Sequence, residues 1–148
     1  MKVTDRHGRT HNWPPSGHQV DFNDKRPRSE LHLRCRELLR KLYPTQRILE
    51  EVPLPGESLT IDFYLPLREL VIEVQGRQHT EFVAHFHHTM AEFKRAQARD
   101  RRKAAWCYDN NLEIIHLPYT ESDDEWQRRI EGEDDGREEI GTSGEDSD

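Results

Sequence analysis

The chain has 148 residues, 34% of them charged and 32% hydrophobic, with a net charge of −7 and two cysteines. That length and apolar fraction fit one modest domain with loose ends, and Cys35 and Cys107, with no CxxC pair near either, exclude a cysteine zinc knuckle or a disulfide framework and read as buried thiols. No apolar run is long enough to span a bilayer, and the start MKVTDRHGRTHNWPP lacks the apolar centre of a signal peptide, so a soluble, cytoplasmic protein with no membrane partner is expected.

In chain order, residues 1–28 mix His, Arg, Pro, Gly and Asp without periodicity and read as a flexible basic and polar arm. Organisation begins at Ser29. RSELHLRCRELLRKLYP offers an N-capping serine, an acid beside it, and Leu31, Cys35, Leu38, Leu39 and Leu42 along one helical face, closed by Pro44. QRILEEV is a strand candidate ended by the turn-prone PLPGES. LTIDFYL and ELVIEVQ, rich in β-branched and aromatic residues, follow as an antiparallel pair. From about Ala84 to Asn110 the pattern is helical, with Phe86, Met90, Phe93, Gln97, Asp100, Ala104 and Cys107 tracing a mostly apolar stripe, and DNN stops it. LEIIHLPY is a fourth strand and EWQRRI a last short helix before EGEDDGREEIGTSGEDSD, whose Gly, Ser and acid content cannot support a core. Residues 121–148 hold 13 acidic and three basic residues, which leaves the other 120 mildly basic, with 19 Lys+Arg against 16 Asp+Glu. The expected division is an arm over 1–28, a domain over 29–120 and an acidic, mostly disordered tail over 121–148. The element order predicts an α/β fold, an αβββαβ core with a mixed β-sheet flanked by helices.

The hairpin at residues 59–75 poses a physical conflict. Alternation puts Leu59, Ile61 and Phe63 on one face and Thr60, Asp62 and Tyr64 on the other, with Leu70, Ile72 and Val74 opposing Val71, Glu73 and Gln75 in the next strand. A loop over Pro66 to Glu69 pairs Leu65 with Leu70, and counting back sets Asp62 directly opposite Glu73. Opposed like charges cost roughly 0.2–1 kcal/mol on an exposed sheet face, and more when desolvated. Solvated acids are one resolution. A divalent cation is the other: Mg²⁺ takes a few carboxylate oxygens, here with a carbonyl such as that of Val74, keeps several waters and leaves room for a phosphate.

IDFYLP, then LVIEVQGRQH, then FKRAQARDRRKAAWC, then NNLEIIHLPY resemble, in that order, the PD-(D/E)XK nuclease superfamily, in particular its small branch near the very-short-patch-repair and related phage and homing endonucleases. The resemblance runs from Arg28 to about Tyr119. It implies a restriction-endonuclease-like core and Mg²⁺-dependent phosphodiester hydrolysis, with Mn²⁺ as a substitute, in DNA rather than RNA. It also implies that Asp62 and Glu73 are metal ligands and that Glu30 is a further acid beside the metal. Gln75 falls where the superfamily usually has Lys, and Gln can bond a water or phosphate oxygen but supplies no positive charge and transfers no proton readily. Catalysis then leans on His79, which resembles the His that the related repair endonucleases use to position or deprotonate water. Asp100 is placed to orient His79, and Lys103 to stand in for the missing lysine.

Other readings of these residues stay open. Glu30 also suits a helix N-terminus, His79 suits a structural histidine, Asp100 suits a salt bridge within ARDRRK, and Gln78 either binds substrate or caps its turn. In HFHH a helix brings His85 and His88 together, but no further ligand set accompanies them, and an edge of the substrate groove fits better than zinc. Lys94, Arg95, Arg99, Arg101, Arg102 and Lys103, with Arg34, Arg36, Arg40 and Lys41, are candidate phosphate contacts. The absence of a Walker loop, a GxSxG elbow and heptads removes kinase, esterase and coiled-coil readings. The expected function is therefore a metal-dependent DNA endonuclease. Cleavage of a branched junction would call for two active sites and so a homodimer. The rivals are a nucleic-acid-binding protein that keeps the fold without catalysis, and an interaction protein whose acidic tail mimics nucleic acid or recruits a protein partner.

Overall fold

Ser29 starts the first helix as its composition predicts. In the computed structural model, which describes residues 1–14, 28–76 and 89–132, the Ser29 hydroxyl accepts the His32 N–H at the head of α1 (Glu30–Leu42), and Arg40 and Lys41 lie in its last turn. Cys35, Leu38 and Leu39 are buried along the predicted stripe, with His32 and Arg36 buried beside them.

Strands β3 (Leu49–Leu54), β4 (Leu59–Leu65) and β5 (Leu70–Gln75) form the expected antiparallel meander. Helix α2 (Met90–Asp109), capped by the Thr89 hydroxyl, returns the chain so that β6 (Glu113–Pro118) lies parallel to β5. The sheet order β3-β4-β5-β6 is thus mixed and helix-flanked, as the element order predicts. Asn111, at φ 58°, makes the left-handed turn between α2 and β6.

Both sheet faces are covered, and the alternation that sets Leu59, Ile61 and Phe63 on one face fails within β4. Leu59, Ile61, Tyr64 and Val71 pack with Trp106 and Cys107 of α2, whereas Phe63, Leu65, Leu70 and Ile72 pack with Cys35, Leu38 and Leu39 of α1. Ile61 and Phe63, two residues apart, therefore serve different clusters. The reason lies between them. Regular pairing of β3 with β4 skips Glu51 and Asp62, with Glu51 held at φ 52°, and this resets the alternation.

The first fourteen residues are not the arm expected over 1–28. β1 (Lys2–Thr4) and β2 (Thr10–Asn12) form a hairpin that delivers Val3 and Trp13, each 1% exposed, to the α2 side of the sheet. Asp5 fixes its turn by accepting the N–H groups of His7 and Arg9, at 2.8 and 3.0 Å, while its other oxygen meets His11 Nε2 at 2.9 Å. Gly56, at φ 77°, completes the seat, since a Cβ there would come within 2.2 Å of Asp5 Oδ2. The acidic tail also begins later than residue 121. α3 (Asp123–Glu131), closed at its start by a capping box between Ser122 and Glu125, buries Trp126 and Ile130 against α1 and β6 residues. Residues 133–148 lie outside the described residues. Among the described residues no helix is long and apolar enough to cross a membrane.

Candidate active site

The β4–β5 register runs Leu65 with Leu70, Tyr64 with Val71 and Phe63 with Ile72, and gives way one step later, at Asp62 and Glu73. There the acids themselves take the strand amides. Glu73 Oε2 accepts the Asp62 N–H at 2.7 Å, and Asp62 Oδ2 accepts the Val74 N–H at 2.9 Å. The two carboxylates counted as opposite in sequence are thus neighbours, each braced by the other strand. The other Glu73 oxygen receives Lys103 Nζ from α2 at 2.9 Å. Lys103 is the lysine expected to compensate for Gln75, and it arrives at the acid pair from a helix rather than along the strand.

Glu73 is 3% exposed. Burial, and next the charge of Asp62, raise its carboxyl to about 7, although Lys103 pulls the other way. Two carboxyl groups this close, one of them buried, favour a cation between them. Asp62, Glu73 and Lys103 line a cavity of about 240 Å³ with Ser29, His32 and Val74, among others. Several waters fit in that volume, hence a cation that keeps part of its hydration shell. Among the described residues no group of three or more His, Cys, Asp or Glu side chains forms a ready-made metal cage. A two-carboxylate site suits Mg²⁺, which uses one or two carboxylates with water and phosphate, better than it suits zinc or calcium.

The other expected residues divide. Glu30 is exposed and, unlike its neighbours Ser29 and Leu31, does not line the cavity; its first-turn position serves the helix dipole. Gln75 is half-buried, ends the β5–β6 ladder with its carbonyl accepting the Tyr119 N–H at 2.8 Å, and also stands outside the cavity lining. Gln78, His79 and the histidines 85, 87 and 88 lie outside the described residues. Lys94, Arg95, Arg99 and Arg101 are exposed on α2, and Asp100 is half-buried one turn before Lys103. Arg102 points elsewhere: its guanidinium donates to the Glu57 carbonyl at 2.9 Å and to Glu57 Oε1 at 3.1 Å. On α1, Arg34 bonds Asp123 at 2.5 Å and covers Trp126, and Arg36 bonds Glu50 at 2.7 Å, so both are engaged within the fold. The thiols are buried as expected, and burial pushes Cys107 up to about 12.

Sequence reasoning missed His32, Glu50 and His116. His32 lines the cavity, stacks on Phe63 at 4.6 Å and meets Glu50 through Nε2, and Arg36 meets the same Glu50 oxygen. Burial alone would raise Glu50, but the hydrogen bonds from His32 and Arg36 and their charges outweigh it and hold the carboxyl below its ordinary range. The available signal was spacing, since His32 and Arg36 are four apart beside the apolar stripe. His116 is the direct β6 partner of Glu73; only the parallel pairing of β5 and β6 reveals that.

Comparison with known proteins finds stretches of similarity to viral proteins. The chain is 42% identical over 66 residues to uncharacterized protein 307L of Invertebrate iridescent virus 6, covering 45% of this chain and 34% of the relative. It is 35% identical over 68 residues to uncharacterized protein 033L of Invertebrate iridescent virus 3 (46% and 35%), and 36% identical over 72 residues to uncharacterized protein 094L of Frog virus 3, isolate Goorha (48% and 46%). The chain thus spans less than half the length of these relatives. No family model and no solved structure matches it.

Proposed function

We propose that this chain is a metal-dependent DNA endonuclease with a PD-(D/E)XK-type, restriction-endonuclease-like core. The observation that carries the reading is the delivery of Lys103 Nζ to within 2.9 Å of Glu73, itself bonded to the Asp62 backbone in a shared cavity. Two carboxylates and a lysine are the charge set that phosphodiester hydrolysis by this superfamily's chemistry needs, and the lysine comes from α2 where Gln75 cannot supply it. Asp62 and Glu73 would hold Mg²⁺ or Mn²⁺, which when bound supplies a Lewis acid and lowers the pKa of a coordinated water. Lys103 offsets negative charge developing on the phosphate. The exposed Lys94, Arg95 and Arg99 hold the DNA backbone. DNA is preferred to RNA by family analogy alone.

The test is cleavage of linear, nicked, mismatched, four-way-junction and single-stranded DNA, with an RNA duplex alongside, in Mg²⁺, Mn²⁺ or EDTA. Asp62→Asn and Glu73→Gln keep shape and much of the hydrogen bonding, and each is expected to lower the rate by about 10²-fold or more, the scale of losing one contact to transition-state charge. The Lys103–Glu73 ion pair also fits a second reading, a DNA-binding protein in which that pair only stabilises the fold. Folded wild-type protein that binds DNA equally in Mg²⁺ and EDTA and cuts nothing would decide for that alternative.

A further inference from the structure

We infer that His32 accepts the proton of the attacking water and that Glu50 holds its ring for the purpose; the inference rests on the endonuclease reading above. His32 sits at the head of α1, its N–H bonded to Ser29 Oγ at 3.0 Å. That bond is made by the backbone, and the ring itself is fixed on two sides. It stacks on Phe63, the residue after Asp62, with 4.6 Å between centroids and 27° between planes, and its Nε2 meets Glu50 Oε1. Glu50 is in turn held by Arg36 Nη2 at 2.7 Å and by Arg28 Nε at 3.7 Å. An ionised carboxylate only accepts, so His32 Nε2 carries the hydrogen and the lone pair of the neutral ring resides on Nδ1.

Among the described residues, few groups lining the cavity can take a proton. Asp62 and Glu73 would be committed to the cation, Lys103 donates to Glu73, and a serine hydroxyl is a poor base. An imidazole oriented by a buried carboxylate is the arrangement general-base catalysis uses. In the step, a water O–H gives its proton to Nδ1 while the water oxygen forms the bond to phosphorus. The scissile P–O ester bond breaks, its electron pair leaves on the ester oxygen, and that oxygen takes a proton from solvent water. Glu50 stabilises the imidazolium until it returns its proton to solvent. In this scheme His32, on α1, takes the role that the resemblance implies for His79, which lies outside the described residues.

The experiment is single-turnover cleavage by the full chain, on the best substrate of the panel, with Mn²⁺ affinity, DNA affinity and thermal melting measured on the same samples. His32→Ala is expected to slow cleavage by about 10²–10⁴-fold with both affinities unchanged, and added imidazole to restore part of the rate. His32→Gln can keep a donor towards Glu50 while removing the base, and covers the case in which the alanine variant fails to fold. Glu50→Gln is expected to lower kcat by about 10-fold at unchanged KM; an unchanged kcat removes Glu50 from the scheme. Wild-type rates in folded His32→Gln overturn the inference, as does a rate loss matched by loss of Mn²⁺ or DNA affinity, or imidazole rescue found for His79→Ala in place of His32→Ala. Those outcomes leave the endonuclease reading standing. A wild-type chain that cuts no substrate overturns both.

Discussion

Burial and the neighbouring Asp62 hold the Glu73 carboxyl at about 7, so the folded chain binds a proton there more tightly than the unfolded chain does. Below the ordinary carboxylate range both states are protonated and the contribution to stability is complete. As pH rises the unfolded state ionises first, and the contribution is lost through about pH 7. Glu50 runs the other way, its stabilisation being present above the ordinary range and lost in acid. The difference in unfolding free energy between Glu73→Gln and wild type should therefore grow between pH 5 and 8, to on the order of 3 kcal/mol, measured by urea unfolding. If, as proposed, Asp62 and Glu73 hold a cation, saturating Mg²⁺ or Mn²⁺ should shrink it, because the cation would bind the ionised pair. A pH-independent difference would mean that Lys103 fully neutralises Glu73. At this scale the opposed acids were legible because the hairpin register follows from loop length, and Lys103 because helix and strand come in order. His32 and Glu50 were not, because their meeting depends on how α1 crosses the sheet, which no local spacing encodes.

Among the elements, α1 was legible because its apolar stripe is buried and Ser29 caps it, and the meander because β-branched and aromatic runs alternate with turn signals; the α2 stripe matches only in part, since Met90 is exposed and Trp106, outside the stripe, is buried beside Cys107. The β1–β2 hairpin was not legible. Its strands are three residues long and polar on the surface, and what orders them is tertiary, namely Trp13 against Tyr64 at 4.3 Å and Asp5 in the notch above Gly56. α3 was legible as a helix and misassigned to the tail, since the surrounding acids dilute Trp126 and Ile130 in any composition count. The boundary has a measurable consequence. Ending the chain after residue 120 strips Trp126 from Leu39, Phe63 and Leu117 in their cluster and should destabilise by at least the roughly 3–5 kcal/mol of a buried Trp→Ala change. Ending it after Gly132 keeps α3 and should give a higher melting temperature than ending it after residue 120. Equal melting temperatures for the two truncations would contradict the packing of α3. Any test of the acidic tail as a competitor of DNA therefore starts at residue 133.

Over the whole molecule, the fold divides a basic body that looks uniform in sequence. The α1 guanidiniums of Arg34 and Arg36 are spent on Asp123 and Glu50, and Arg102 on Glu57, whereas Lys94, Arg95 and Arg99 stand exposed on the N-terminal half of α2, the helix that also brings Lys103 to the acids. A polyanion approaching the acid pair thus meets positive charge along one helix. Long-range attraction of this kind shows itself in salt dependence more than in affinity at one condition. Replacing Lys94, Arg95 and Arg99 together by alanine should reduce the slope of log affinity for duplex DNA against log salt by about one unit per side chain, without regard to sequence. Arg102→Ala should barely change that slope. It should instead destabilise the fold by about 1–3 kcal/mol, because the Glu57 carbonyl and carboxylate lose their donor. If Arg102→Ala lowers the slope as much as each of the other three, the guanidinium leaves Glu57 for the phosphate when DNA binds; if the triple variant keeps the wild-type slope, the DNA lies on a different face.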